Sequence, residues 1–355
     1  MLPSTHDTPI GVGIVGYGFA GRGFHAYLID QEPRLQLRAV FVRNEERRQR
    51  AADDRPIILC ESFEEMLASK EINLVVLATP HDVHASQAIQ AMDAGKHVVT
   101  DKIIALTAAE ARAMAEAAER NNVVLSVFHN RRWDGDFLTI QEIWKSGLIG
   151  DVYAAECCIL RYGPPGGWRA QKARSGGLMF DWGAHMVDQA LLLCGQPETV
   201  TCTILDRGAW PGVDIGNYGR ITLQFAGGLM YTVEFSNLAR IQKPHWYVLG
   251  TKGALRKDGV DPQEPAMLAG NITAAREDPA NYAQVYATIN GIPSDMRMET
   301  RRGDWRECYK NIAMAIRGEA PLAITPQQMV RLMTVYDAAM LSAAEGRTVR
   351  FDETP

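Results

Sequence analysis

No stretch of this chain approaches the roughly 20 consecutive apolar residues that a membrane-spanning helix requires. The opening nine residues, MLPSTHDTP, are polar and carry no apolar segment of the kind a secretory signal needs, which predicts a cytoplasmic protein. Charge of neither sign dominates: 37 Lys and Arg stand against 42 Asp and Glu, for a net charge of -5 and an isoelectric point near 5.9. A balance of that kind gives no basic footprint for nucleic acid or an anionic membrane surface. Cysteine pairs at C-x-x-C spacing are missing. The six cysteines, Cys60, Cys157, Cys158, Cys194, Cys202 and Cys308, therefore read as buried thiols in a reducing compartment rather than as disulfides or metal ligands. Cys157 and Cys158 fall in a strand-like run whose successive side chains face opposite ways, which argues against a bridge between them. Repeats and low-complexity tracts are also absent. What remains is a 355-residue chain, 46% hydrophobic and 22% charged, with the makeup of a globular protein of about two domains.

The strongest positive signal lies near the start. Residues 10 to 15 form an apolar run of strand length and feed directly into Gly16-Tyr17-Gly18-Phe19-Ala20-Gly21, a G-x-G-x-x-G loop followed by a helix-compatible run. In that place the first glycine permits a tight turn, the second lets backbone approach a pyrophosphate, and the third lets helix and strand pack closely. The helix N-terminus then faces the phosphate charge. A dinucleotide site usually carries an Asp or Glu at the end of the second strand to bind ribose hydroxyls. Here the run 35 to 42 exits into Arg43-Asn44, and a cation suits a 2′-phosphate, so the site is predicted to prefer NADP(H). Glu45 could still reach a ribose, which leaves NAD(H) open. A solvated loop arginine beside EERRQR is the plainer alternative.

Strand-like and helix-like runs continue to alternate up to about residue 128, predicting a doubly wound parallel sheet. The apolar run 74 to 78 ends in Thr79-Pro80-His81, and the run 97 to 100 ends in Asp101-Lys102. Both exits lie at the carboxyl edge, where open α/β sheets bind ligands. His81 and His84 have no third ligand nearby and read as packing or cofactor-contacting residues, not a metal site. Lys102 is placed near the nicotinamide end of a dinucleotide, where an ammonium can donate to a substrate oxygen and stabilise alkoxide charge. As an isolated dipeptide, Asp101-Lys102 would be a surface ion pair of little worth.

Beyond residue 129 the texture changes to successive strand-like runs: 152 to 161, 200 to 205, 218 to 225, 229 to 236 and 245 to 249, with Gly227-Gly228 as a two-residue hairpin loop. The fold expectation is therefore α/β, with an N-terminal Rossmann domain over residues 1–129. A C-terminal α+β domain with a large, mostly antiparallel sheet follows over 130–355. Residues 256 to 300, rich in Pro, Gly, Asp and Asn, read as an extended loop. A helix over 176 to 194 places Asp181, His185 and Asp188 at i, i+4 and i+7, on one face. A histidine one turn from a carboxylate is a candidate general base, and a locally satisfied core histidine is its plainer alternative.

The ordered set GYGFAG, TPHDVH, AGKHVVTDK and SGGLMFDWGAHMVD resembles the Gfo/Idh/MocA oxidoreductases, over nearly the whole length from Ile10 to Phe351. The stretch FHNRRWDGDF is similar to the branch containing NADP-dependent scyllo-inositol dehydrogenase. By that resemblance Lys102 is the catalytic lysine, Asp181 the substrate-binding and histidine-orienting carboxylate, and His185 the general base. Asn130, Trp133 and Arg169 fall where cleft-lining residues are expected. The implied activity is hydride transfer between a nicotinamide and a secondary alcohol of a polyol, inositol or sugar. The implied assembly is a dimer or tetramer formed through the outer face of the second sheet. One departure stands out: the family usually has Glu-Lys-Pro where this chain has Asp101-Lys102-Ile103. Asp is one methylene shorter, and loss of proline removes a φ restraint and the tendency toward a cis bond before it. Since misplacement by about 1 Å can cost on the order of a hundredfold in rate, this predicts low activity or an unusual substrate. Two rivals follow: a nucleotide-sensing binding protein without turnover, and a metal-dependent isomerase or lyase using Asp181, His185 and Asp188.

Overall fold

A computed structural model of the chain describes residues 8–353. Its first six strands are β1 (Ile10–Val15), β2 (Leu35–Phe41), β3 (Ile58–Leu59), β4 (Leu74–Leu77), β5 (His97–Thr100) and β6 (Leu125–Val127). They form one parallel sheet in the order β3-β2-β1-β4-β5-β6. Parallel neighbours need crossovers, and the helices between strands supply them. Every residue of β1 and β4 is buried, as expected of strands covered on both faces. Side-chain caps set where the crossover helices begin: Asn44, Ser62 and Thr107 each accept the backbone N–H three residues on. The order reverses between β1 and β4, and such a switch point opens a ligand crevice at the carboxyl ends.

The described chain divides into two compact units, the first holding residues 8–130, 265–273 and 305–330. Aromatic and polar contacts account for the late segments. Tyr309 Oη lies 2.7 Å from His25 Nδ1, Trp305 packs edge-on against Phe24, and Tyr27 Oη donates to Gly270 O.

The second unit holds residues 131–264, 274–304 and 331–353. Its strands are β7 (Val152–Leu160), β8 (Thr199–Leu205), β9 (Tyr218–Gln224), β10 (Met230–Ser236), β11 (Trp246–Gly250), β12 (Gly253–Lys257), β13 (Ala283–Ile289), β14 (Ile292–Met298) and β15 (Val349–Arg350). They make a nine-stranded sheet in the order β14-β13-β12-β11-β7-β10-β9-β8-β15, with β7 and β10 its one parallel pair. Cys157, Val233 and Trp246 bury one face, against which Phe137 of the helix Gly135–Ser146 stacks on Trp246 at 6.0 Å. All six cysteines are free thiols. Among the described residues, no helix is long and apolar enough to cross a membrane.

Three local expectations change. Residues 256 to 300 are not an extended loop: they hold the helix Gln263–Leu268 and the hairpin β13–β14. Asn290 and Gly291 take positive φ at its turn, 50° and 81°, which suits a tight connection between twisted strands. The helix read as starting at 176 starts at Trp182, because Gly176 and Gly177, at φ 85° and 121°, turn the chain first. The Gly227-Gly228 hairpin exists, but its loop is the three-residue turn Ala226–Gly228, closed by Phe225 N–H donating to Leu229 O.

A buried carboxylate ties the helix Gly135–Ser146 to the sheet. Asp136 is fully buried, and Trp246 Nε1 and His245 Nε2 each lie 3.1 Å from its Oδ2. Burial alone would push this carboxyl up, but the His245 and Trp246 hydrogen bonds and the Lys257 charge outweigh it and bring it down to about 2. A folded pKa below the unfolded 3.8 means the stabilisation is present above about pH 4 and is lost as pH falls through 2. Asp136→Asn is therefore expected to lower unfolding free energy by about 2 kcal/mol at pH 7. In urea titrations the gap between variant and wild type should close between pH 4 and pH 2.

Candidate active site

The glycine loop in the first unit leaves no room for a Cβ at Gly16 or Gly21. Gly16 has φ 92°, a conformation that L side chains rarely adopt, and a Cβ there would fall 2.5 Å from Ala78 O. At Gly21 a Cβ would lie 2.0 Å from Gly16 O, so backbone meets backbone where the loop enters the helix. A Cβ on Gly18 would come 3.3 Å from Arg47 Nη1, which places a guanidinium beside the loop. Between these glycines Tyr17 points inward and donates to Asp54 Oδ2 at 3.0 Å, with burial pushing its hydroxyl up to about 12. Phe19 is exposed and Ala20 half-buried. This loop is the cradle a dinucleotide pyrophosphate requires.

At the end of β2, Arg43 is exposed and lines an open pocket of about 650 Å³ with Val42, Glu45, Ser62 and Gln87. Both the cation and the carboxylate weighed for the ribose end thus border the same space. Along the carboxyl edge, Thr79 and Pro80 are half-buried and Thr79 Oγ1 donates to Gln87 Oε1. His81 and His84 are buried, their rings 5.6 Å apart. His84 lies between two carbonyls, with Nε2 2.9 Å from Thr79 O and Nδ1 2.7 Å from Ile103 O. Burial lowers its pKa, and a neutral ring donates to one carbonyl at a time.

Asp101 and Lys102 follow β5 directly. Asp101 N–H donates to Leu77 O, and Asp101 Oδ1 accepts Lys102 N–H at 2.8 Å. Behind this carboxylate His25 is fully buried, 3.9 Å from Asp101 Oδ1, and its other nitrogen meets Tyr309. Burial lowers the pKa of His25 against the pull of Asp101. The Lys102–Ile103 peptide bond is cis although residue 103 is not proline. Ile103 is completely buried there, and its carbonyl is the one that faces His84.

In the second unit Asp181 is not a helical residue, as the pattern predicted, but the residue before the helix Trp182–Cys194, at φ -84° and ψ -97°. Arg161 Nη2 lies 3.4 Å and Arg169 Nε 3.9 Å from its two oxygens, and Arg169 stacks on Trp168. Arg161 was not among the sequence candidates: its partner lies 20 residues away across a turn that no local pattern encodes. His185 is 6% exposed, with the Trp182 ring 6.4 Å away. Tyr336 Oη donates to Met179 O at 2.6 Å and fixes the turn leading into the helix. Asp188 is bonded to Arg132. Among the described residues, no group of three His, Cys, Asp or Glu is placed to hold a metal ion, so the ligand set Asp181, His185 and Asp188 is not formed. Asn130 is buried in the first unit; Trp133, half-buried in the second, receives Gln263 Nε2 on its carbonyl.

Residues 10–129 match the model of an oxidoreductase family with an NAD-binding Rossmann fold, and residues 137–256 match the GFO/IDH/MocA C-terminal domain. The chain is 31% identical to scyllo-inositol 2-dehydrogenase (NADP(+)) IolW of Bacillus subtilis (strain 168), over 97% of this chain and 96% of that one. It is 31% identical to YdgJ of Escherichia coli (strain K12), an uncharacterised oxidoreductase, over 96% and 98% of the two chains. The solved structure of yvaA from Bacillus subtilis superposes with a TM-score of 0.89 at 29% identity, over 97% of this chain and 99% of that one. The parallel sheet with its glycine cradle, the large second sheet and these matches agree: the chain belongs to the Gfo/Idh/MocA oxidoreductase family.

Proposed function

We propose that this protein is an NADP(H)-preferring dehydrogenase or reductase that moves a hydride between nicotinamide and a secondary alcohol of a polyol, inositol or sugar. The observation that carries the reading is the exit of β5. Lys102 leaves the sheet at its carboxyl edge, beside a buried carboxylate, in the same unit as a glycine cradle that a Cβ at Gly16 or Gly21 would fill. Those residues fit a dinucleotide: Gly16 to Gly21 would hold the pyrophosphate, and Arg43, past β2, a 2′-phosphate. Similarity to an NADP-dependent scyllo-inositol dehydrogenase supports both the cofactor and the substrate class.

A bound nicotinamide supplies the carbon that accepts or gives the hydride. In this reading Lys102 Nζ donates to the substrate oxygen and stabilises alkoxide charge as the hydroxyl proton departs. His185 takes that proton on a ring nitrogen and returns it when the reaction runs toward the alcohol. Asp181 orients the ring and binds substrate, with Asn130, Trp133 and Arg169 as further substrate contacts. Arg161 and Arg169 flank the Asp181 carboxylate and hold it in place.

We also propose a homo-oligomer, a dimer or tetramer, formed through the sheet face that carries Met230, Tyr247 and Tyr286, all exposed. Light scattering should then return two or four times 39.2 kDa, and a mass of one chain refutes the assembly.

A panel of inositols, polyols and aldoses, followed by nicotinamide absorbance, tests the chemistry. Lys102→Ala and His185→Ala should each lower kcat by about 10²- to 10⁴-fold, with nucleotide affinity kept. Normal turnover in either variant refutes the assignment. Tight nucleotide binding with no turnover on any substrate would select the nucleotide-sensing reading instead. Arg43→Ala should weaken NADPH binding by about 10- to 100-fold and leave NADH within about threefold, as calorimetry can measure.

A further inference from the structure

Two consecutive arginines sit inside the FHNRRWDGDF stretch, and both side chains are only 8% exposed. Arg132 makes a two-pronged bond to Asp188, Nε to Oδ2 at 2.8 Å and Nη2 to Oδ1 at 2.7 Å. The Arg131 guanidinium lies over the Trp182 ring, 4.3 Å from its centre. Its Nη1 reaches Asp134 Oδ2 and its Nη2 reaches Glu264 Oε2, each at 3.0 Å. The Arg131 carbonyl accepts Gln189 Nε2, also at 3.0 Å.

Trp182 and Asp188 stand three residues before and three residues after His185 on one helix. Contacts six residues apart span about 9 Å of helix axis and sit about 120° apart around it, with His185 midway between them in height and in direction. A single contact would leave the helix free to swivel, whereas two at that spacing fix both its height and its rotation. Planar guanidinium groups suit the task, because a fork bond to a carboxylate and a stack on a ring each tolerate one orientation. Burying this many charges stabilises little compared with an apolar pair of the same volume. Their arrangement is better explained by where it puts the helix.

We infer that Arg131 and Arg132 are positioning residues that clamp the His185 helix, setting the direction of its imidazole and neutralising the Asp188 carboxylate one turn away. The inference rests on the general-base role proposed for His185. Other charged or titratable groups on this helix and the elements packed with it are Cys194, Asp181 with Arg161 and Arg169, Asp134 and Glu264 around Arg131, Tyr336 against the first turn, and Cys157 and Tyr231 on the sheet.

The test reads the His185 ring itself, by NMR titration of protein labelled with ¹⁵N-histidine, its signal assigned by loss in His185→Gln. Asp188→Asn removes a negative charge one turn away and should lower the His185 midpoint by about one pH unit; Arg132→Gln removes a positive one and should raise it by a similar amount. The double variant should return it to within about 0.3 unit of wild type. Midpoints that stay put in folded single variants, or that move in the same direction, overturn the clamp. Arg132→Lys keeps the charge and loses the fork, and serves where a neutral variant does not fold. It should hold the midpoint, lower kcat about tenfold and leave nucleotide KM unchanged, and an unchanged kcat with a shifted midpoint counts against the proposal. Because the NMR midpoint needs no turnover, failure of the clamp and failure of the dehydrogenase reading give different results.

Discussion

A carboxylate removed from water must be met by donors or by positive charge, and this chain uses that requirement to fix the ends of its elements. Asp136 ties the first turn of a helix to the indole and imidazole of a neighbouring strand. Asp261 accepts Gly135 N–H at 2.6 Å and Gln263 N–H at 2.8 Å, holding that helix start from the other direction. Asp188 is caught by a guanidinium fork from a segment 56 residues earlier. In the first unit, Asp101 accepts the backbone N–H of the lysine that follows it. None of these acids contributes apolar packing. Each converts a costly buried charge into a fixed direction for the chain beside it.

The two units solve the problem of holding functional groups by different means. In the first, backbone approaches backbone: Gly21 against Gly16, Gly16 against Ala78, with a histidine between two carbonyls at the edge. Such a surface offers N–H groups and space to a charged ligand. In the second, long side chains reach across the fold, with Arg161 and Arg169 on Asp181 and Arg131 and Arg132 on the helix behind it. There the side chains, not the backbone, set where the charged groups lie.

Most of the first sheet was legible because its strands are short apolar runs and its crossover helices carry strong caps or alanine. Residues 74 to 77, 97 to 100 and 108 to 120 needed no tertiary information. The hairpin β13–β14 was missed because its turn residues coloured the composition of the whole region. The alternation was present: Ala283, Val285 and Ala287 are buried while Gln284, Tyr286 and Thr288 face out. Residues 176 to 181 were drawn into the helix because Met179 and Phe180 extend its apolar pattern backwards, and two positive-φ glycines decide otherwise. Arg131, Arg132 and Arg161 were not read as site residues for a different reason. An arginine's role depends on which acid lies opposite, and Asp181, Asp188 and Glu264 are 20, 56 and 133 residues from the arginines they meet.

The nine-stranded sheet has two free margins, and each is blunted. One ends in β14, whose sequence Ile292-Pro293-Ser294-Asp295-Met296-Arg297-Met298 carries a proline and charges of both signs. The other ends in β15, only two residues long. Proline withholds an N–H, charges disfavour a stacked neighbour, and two residues are too few to template a strand. A broad β-sheet with bare margins would otherwise invite fibrillar growth; here both margins end in sequences that disfavour an incoming strand.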